Sequence, residues 1–202
     1  MDYNEIMESL SGHVAYAQEN YIPIIRPMSA EFLYDFIKTN NISTVLEIGT
    51  AIGFSGTVML GAGIKSLVTV DINDKSQDIA RKTFEDFGFQ DKVEMICEDA
   101  KTVLPKLVER GLKFDMIFLD GAKGQYINYV PNIIKLLNNN GIVFADNVLL
   151  QGMVESNEKI PHKKRTMVVN LRKYLTRVNE ADFETDLIRL EDGIAISRYI
   201  GG

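Results

Sequence analysis

The chain has 202 residues, 46% hydrophobic and 25% charged, which fits a globular domain and excludes disorder, collagen and coiled coil. Its net charge of −6 excludes a protein that coats nucleic acid through overall charge. Cys97 is the single cysteine, which excludes internal disulfides and cysteine-rich zinc sites.

The first twenty residues, MDYNEIMESLSGHVAYAQEN, carry acids where a secretory signal needs a basic start, and no stretch reaches the roughly 18 apolar residues of a membrane span. A soluble, non-exported, cytoplasmic protein is expected. Ile6, Leu10, Val14 and Ala17 recur at helical spacing, and a second helix near 29–40 is opened by Ser29. These helices, within residues 1–40, are expected to cover the core or a partner subunit.

Short, nearly continuous apolar runs then alternate with amphipathic stretches. The expected strands are "TVLEIG" (44–49), "SLVTVD" (66–71), "KVEMIC" (92–97), "FDMIFLD" (114–120) and "GIVFAD" (141–146). Cys97 in the third reads as buried. Helices are expected over 53–63, 74–87, 100–110 and 124–137, the second capped by Asn73 or Asp74. Beyond them, "DFETDLIRL" and "GIAISRYI", joined through Glu191, Asp192 and Gly193, read as a β-hairpin. The pattern predicts an α/β doubly wound fold: a mostly parallel seven-stranded sheet closed by a C-terminal antiparallel hairpin. No Pro-rich or Gly-rich linker divides it, so residues 1–202 read as one domain.

The first strand runs into "GTAIGFSG", where Gly49, Gly53 and Gly56 permit a tight turn close to a ligand. The spacing is not the dinucleotide fingerprint G-x-G-x-x-G. Asp71 ends the second strand 22 residues after Gly49, placed to accept from ribose hydroxyls, and Asp99 follows the third in "CEDA", placed to meet an adenine edge. Each acid alone also suits a loop or a cap. Three consecutive strands ending on "EIG", "VD" and "EDA" match the rule that open α/β sheets bind ligands at the carboxyl ends of their strands.

The motifs "VLEIGTAIGFS", "VTVD", "EDA", "FDMIFLDGAKGQY" and "FADNV", spanning residues 44–148, resemble the cation-dependent O-methyltransferases related to catechol O-methyltransferase, most of all their bacterial branch. The resemblance implies S-adenosylmethionine as cofactor. It places Glu47 and Gly49 by the methionine end, Ser55 by its carboxylate, Asp71 on the ribose, and Asp99 with Ala100 at the adenine. Ile25 in "IPII" matches a backbone contact to the cofactor, and Asp120 lies beside it.

The fourth and fifth expected strands end on Asp120 and on Asp146 with Asn147, three oxygen donors of the kind that hold Mg²⁺. The resemblance assigns these positions to the metal and makes Lys123 the catalytic lysine. A metal lowers the pKa of a bound hydroxyl and a neighbouring amine can accept its proton. Tyr126 is expected only to pack the following helix, and His13 and His162 are left unassigned.

Chelation to one metal selects vicinal oxygens, which a catechol and 5-hydroxyuridine both offer. Between Lys159 and Arg177 lie seven of the 22 Lys and Arg residues and no acid, among them Lys163, Lys164, Arg165, Arg172 and Lys173. That cluster is a candidate RNA contact in an otherwise acidic chain. Together with "DGAKGQY" and "DNV", it resembles the transfer RNA methyltransferases that make wobble 5-methoxyuridine. The leading expectation is therefore O-methylation of 5-hydroxyuridine in transfer RNA. The alternatives are a methyltransferase of small catechol-like molecules and a non-catalytic cofactor-binding protein. Relatives of this type are commonly homodimers, and the N-terminal helices could serve that contact.

Overall fold

The computed structural model describes residues 1–201. The chain forms two compact units, Met1–Ala100 and the remainder from Lys101 onward.

The first unit opens with α1 (Tyr3–Ser9), α2 (Ser11–Glu19) and α3 (Pro27–Thr39). Asp2 caps α1 in a capping box with Glu5, the carboxylate of each satisfying an otherwise orphaned N–H. The N-terminal periodicity is thus split into two helices at Leu10, whose ψ of 0° leaves helical geometry. Ile6, Leu10 and Ala17 are buried as their spacing requires, whereas Val14 is half-buried. Ser29 does not open α3. Arg26 takes the cap position and Pro27 the first turn, where the missing N–H costs nothing, and Ser29 is fully buried inside the helix.

Three parallel strands follow, β1 (Thr44–Ile48), β2 (Ser66–Asp71) and β3 (Val93–Cys97), in the order β3-β2-β1. Between them run α4 (Phe54–Ala62), buried along nearly its whole length, and α5 (Asp74–Asp86), capped by the Asn73 side chain on the Ser76 N–H. Cys97 is exposed rather than buried, because β3 pairs with β2 along one edge and is only half covered.

After α6 (Ala100–Glu109), the second unit holds β4 (Phe114–Leu119), α7 (Tyr126–Leu136), β5 (Leu137–Ala145), α8 (Arg165–Arg177), β6 (Phe183–Ile188) and β7 (Ile194–Tyr199). Strand order within it is β4-β5-β7-β6, the first pair parallel and the others antiparallel, so the predicted hairpin is present. Strand β5 starts earlier than its apolar run. Lys113 Nζ reaches the Leu137 carbonyl at 3.2 Å and Asn138 bonds Asp115 at 2.8 Å, recruiting polar residues across an irregular register.

The hairpin tip is tied to the chain that follows β5. The N–H groups of Val148 and Leu149 donate to the carbonyls of Gly193 and Asp192, each at 3.0 Å, and the Gln151 N–H donates to the Asp192 carboxylate. Gly193 has φ 80°, and a Cβ there would lie 2.3 Å from Leu149 Cγ. Gly193→Ala should destabilise the protein by about 2 kcal/mol or more, from left-handed backbone strain and a forced shift of Leu149. Thermal unfolding checks this, and an unchanged midpoint would refute it.

Candidate active site

In the first unit the glycine turn extends β1. The Gly49 N–H donates to the Val70 carbonyl at 2.9 Å, and Gly49, Ala51 and Gly53 adopt φ of 112°, 44° and 81°. Beneath the turn, Glu47 is fully buried and accepts from the hydroxyls of Ser55 and Thr69. Glu47 and Ser55 are therefore brought into direct contact. Asp71, at the end of β2, accepts the Ala51 N–H on one oxygen and the Asn73 N–H on the other, both at 2.9 Å. It anchors the turn while keeping acceptor capacity toward solvent. Asp99 is exposed, Ala100 is buried at the start of α6, and Ile25 is buried in the segment before α3.

Ile72 was not among the expected site residues. It is 71% exposed between Asp71 and Asn73, an apolar side chain held open beside an acid. An exposed aliphatic side chain can pack against an apolar ligand face, and the signal was an isoleucine where a polar turn residue is usual. The glycine turn and Asp71 are thus joined directly, with exposed Ile72 next to the acid.

The second unit carries the acids at two neighbouring strand ends. The Asp146 N–H donates to the Leu119 carbonyl at 2.9 Å, continuing the β4–β5 pairing past both strands. Asp120 pairs with Lys123, Nζ to Oδ1 at 3.1 Å, with side chains 14% and 19% exposed. Asp146 is fully buried. One of its carboxylate oxygens accepts the Asn147 N–H at 2.8 Å, and the other, Oδ2, is buried with no partner among the described residues. Burial, then the charge of Asp120, pushes the Asp146 pKa up to about 7, against the Asn147 N–H and Lys123. Burial also raises Asp120, opposed by Lys123.

Asn147 holds the left-handed φ of 55°, a conformation that asparagine tolerates better than most residues, and this turns the chain sharply after Asp146. One buried and one half-buried carboxylate beside one ammonium leave uncompensated negative charge, and an orphaned oxygen near that charge fits a divalent cation. With Asp120, Asp146 and the Asn147 amide the donor set is all oxygen, the preference of Mg²⁺. Among the described residues no cluster of three or more His, Cys, Asp and Glu exists to hold a softer metal.

Two supports of this site escaped the sequence reading. Tyr126 is fully buried and its hydroxyl donates to the Leu119 carbonyl at 2.9 Å, fixing the end of β4, so it does more than pack α7. Asn170 of α8 donates to the Gly124 carbonyl at 2.7 Å and holds the 3-10 turn Lys123–Gln125. Neither pairing is visible in local spacing, since Asn170 acts across 46 residues.

The basic segment divides. Arg172 donates through Nε to the Val154 carbonyl at 2.8 Å and through Nη2 to those of Ser156 and Met153 at 2.6 and 3.3 Å. Lys164 reaches Gln151 at 3.4 Å. Lys163, Arg165 and Lys173 are exposed, and His162 lies in an exposed 3-10 turn with no site contact shown.

Because the folded-state pKa of Asp146 lies above the usual carboxylate value, its proton is bound more tightly in the folded chain. The stability linked to that proton is present at low pH and lost as pH rises from about 4 through about 7. In chelator at pH 8, Asp146→Asn should therefore be more stable than the parent, by on the order of 2 kcal/mol or about 4–8 °C. At pH 5 the difference should shrink. Melting curves at both pH values check this, and a less stable variant at pH 8 would refute it.

A profile of the family described as O-methyltransferase matches residues 1–200. Caffeoyl-CoA O-methyltransferase 1 of Nicotiana tabacum is 31% identical over 182 residues, covering 84% of this chain and 74% of the relative. The Eucalyptus globulus enzyme of the same name is 28% identical over 179 residues, covering 84% and 72%. Among solved structures, a caffeoyl-CoA O-methyltransferase candidate from Staphylococcus aureus superposes with TM-score 0.85 at 27% identity, covering 96% of this chain and 91% of that one. An O-methyltransferase from Bacillus cereus in complex with SAH superposes with TM-score 0.82 at 23% identity, covering 96% and 90%. The fold is the Rossmann-like α/β methyltransferase fold, a seven-stranded mostly parallel sheet with antiparallel C-terminal strands.

Proposed function

Because the chain belongs to the O-methyltransferase family and is an S-adenosylmethionine-dependent enzyme of the caffeoyl-CoA O-methyltransferase type, we propose that it methylates one hydroxyl of a small, catechol-like molecule bearing two vicinal oxygens. Asp120, Asp146 and Asn147 would hold the divalent cation, Mg²⁺ by donor chemistry. The single observation that carries this reading is the buried, unpartnered Oδ2 of Asp146 beside a second carboxylate.

When bound, the cation stabilises the anion of a neighbouring hydroxyl and so lowers its pKa. The amine form of Lys123, held in its turn by Asn170, takes the hydroxyl proton. S-adenosylmethionine, when bound, would supply the methyl group to that oxygen, with S-adenosylhomocysteine as the leaving group. Glu47, Gly49, Ser55, Asp71, Asp99, Ala100 and Ile25 would line the cofactor's seat, with Asp120 beside it and Ile72 under the base. In this proposal residues 1–202 work as one catalytic domain, in the cytoplasm, as a homodimer through the N-terminal helices.

The catechol reading also draws on the relatives, whose names specify a caffeoyl thioester, and the caffeoyl group carries adjacent hydroxyls. A second reading, O-methylation of 5-hydroxyuridine in transfer RNA, is favoured by exposed Lys163, Arg165 and Lys173 in a stretch without acids. It ranks below the first because the Arg172 guanidinium is engaged on three backbone carbonyls of its own chain.

With a catechol, S-adenosylmethionine and Mg²⁺, turnover should vanish in chelator, and Lys123→Met should lower kcat at least about 100-fold while S-adenosylhomocysteine still binds. Turnover that persists in chelator would sink the metal assignment. Charge reversal at Lys163, Arg165 and Lys173 should leave catechol turnover within about twofold. If the second reading holds instead, the same change abolishes methylation of transfer RNA, and a deletion strain loses 5-methoxyuridine.

A further inference from the structure

Helix α5 packs against the back of the glycine turn through Ala80 and Thr83. A Cβ at Gly53 would lie 3.1 Å from Ala80 Cα, so the turn and the helix meet backbone to backbone. Thr83 is 1% exposed, and its Oγ1 lies 3.0 Å from each of three partners: the carbonyls of Ile79 and Ile52 and the Nε2 of His13. The Ile79 contact is an ordinary helical one, four residues back. The Ile52 contact is not, because Ile52 belongs to the glycine turn, 31 residues away.

A hydroxyl has one proton, and carbonyls only accept. With its proton directed to a carbonyl, Thr83 receives the His13 contact, which places the His13 hydrogen on Nε2. Burial lowers the His13 pKa, with Asp86 opposing, and favours a neutral ring with one N–H. The result is a chain running from α2 through α5 to the turn: His13 N–H to Thr83 hydroxyl to Ile52 carbonyl.

The Ile52–Gly53 peptide is held at both ends. Its carbonyl accepts from Thr83, and its N–H, on Gly53, donates to the Thr50 carbonyl at 2.9 Å. On the other side Asp71 holds the Ala51 N–H. The left-handed φ of Ala51, 44°, and of Gly53, 81°, persist because these bonds over-determine the turn. Ile52 is fully buried, so its carbonyl has no water to fall back on if the hydroxyl is removed.

We propose that Thr83 is a positioning residue for S-adenosylmethionine binding, fixing the peptide planes of the turn from Gly49 to Gly53, and that His13 holds its hydroxyl in register. This rests on the turn being the cofactor's seat. Neither residue touches the cofactor; both act through the turn.

Calorimetric titration of the full chain with S-adenosylhomocysteine at pH 8, beside thermal unfolding, tests the assignment. Thr83→Val, which keeps shape and removes the hydroxyl, should weaken binding about 5–10-fold, and His13→Leu about 2–5-fold. Thr83→Ser, which keeps the hydroxyl, should bind within about twofold of the parent. A Thr83→Val protein that melts lower but binds as the parent does would overturn the proposal, since a purely structural threonine predicts that result. If Thr83→Val does not fold, unchanged binding by His13→Leu overturns it. A parent chain that binds no S-adenosylhomocysteine would refute the cofactor reading of the turn, and this inference with it.

Discussion

Buried Asp146 and half-buried Asp120 stand at neighbouring strand ends with one ammonium, that of Lys123, paired to Asp120, and much of the second unit holds that arrangement in place. Removing a carboxylate from water is costly unless it is paired and hydrogen-bonded. Asp120 has Lys123, whereas Asp146 has a single backbone N–H and an orphaned oxygen. The raised pKa of Asp146 is the local answer to that imbalance: the group takes up a proton where no cation is present. A divalent cation, as proposed, would answer it better, because its charge would compensate both acids at once and its oxygen preference matches the amide that follows.

Holding that geometry requires supports far away in sequence. Tyr126 bonds the last carbonyl of β4, the hairpin tip bonds the N–H groups of Val148, Leu149 and Gln151, and Asn170 and Arg172 of α8 bond carbonyls at Gly124 and at Met153, Val154 and Ser156. All of these partners are backbone atoms, and those of Leu119, Gly124 and Val148 adjoin Asp120, Lys123 and Asn147. The supports therefore fix chain direction rather than side-chain identity. The first unit follows the same plan, with Asp71 and Thr83 gripping opposite sides of the glycine turn.

What periodicity and strand-end chemistry control was legible in the sequence. The first four expected strands fall within one residue of those observed, and Asp71, Asp120, Asp146 and Asn147 stand at strand ends as read. Misread features depended on partners distant in the chain. Ser29 reads as a cap by residue type, but Pro27 two positions earlier takes the first turn and leaves Ser29 inside the helix, and Cys97 reads as buried because an apolar run does not reveal that only one edge of its strand is paired. Strand β5 gains its first residues from Lys113 and Asn138, which no hydropathy pattern marks. Tyr126, Asn170, Thr83 and His13 carry no local signature at all, since each acts through a carbonyl or hydroxyl that folding alone brings near.

The basic segment shows the same limit in a form that bears on substrate choice. Seven cations without an acid read as a field for a polyanion. Once folded, Arg172 makes three bonds to backbone carbonyls and Arg177 forms a two-pronged pair with Asp182 at 2.7 Å, an acid just beyond the stretch. Both guanidinium groups carry charge but are geometrically committed, and moving either toward a phosphate would release the loop or helix end it holds. The charge free to meet a ligand is therefore that of Lys159, Lys163, Arg165 and Lys173, with Lys164 only loosely held. Four or five such cations are few for gripping a folded RNA, whose binding is dominated by phosphate contacts and weakens steeply with salt.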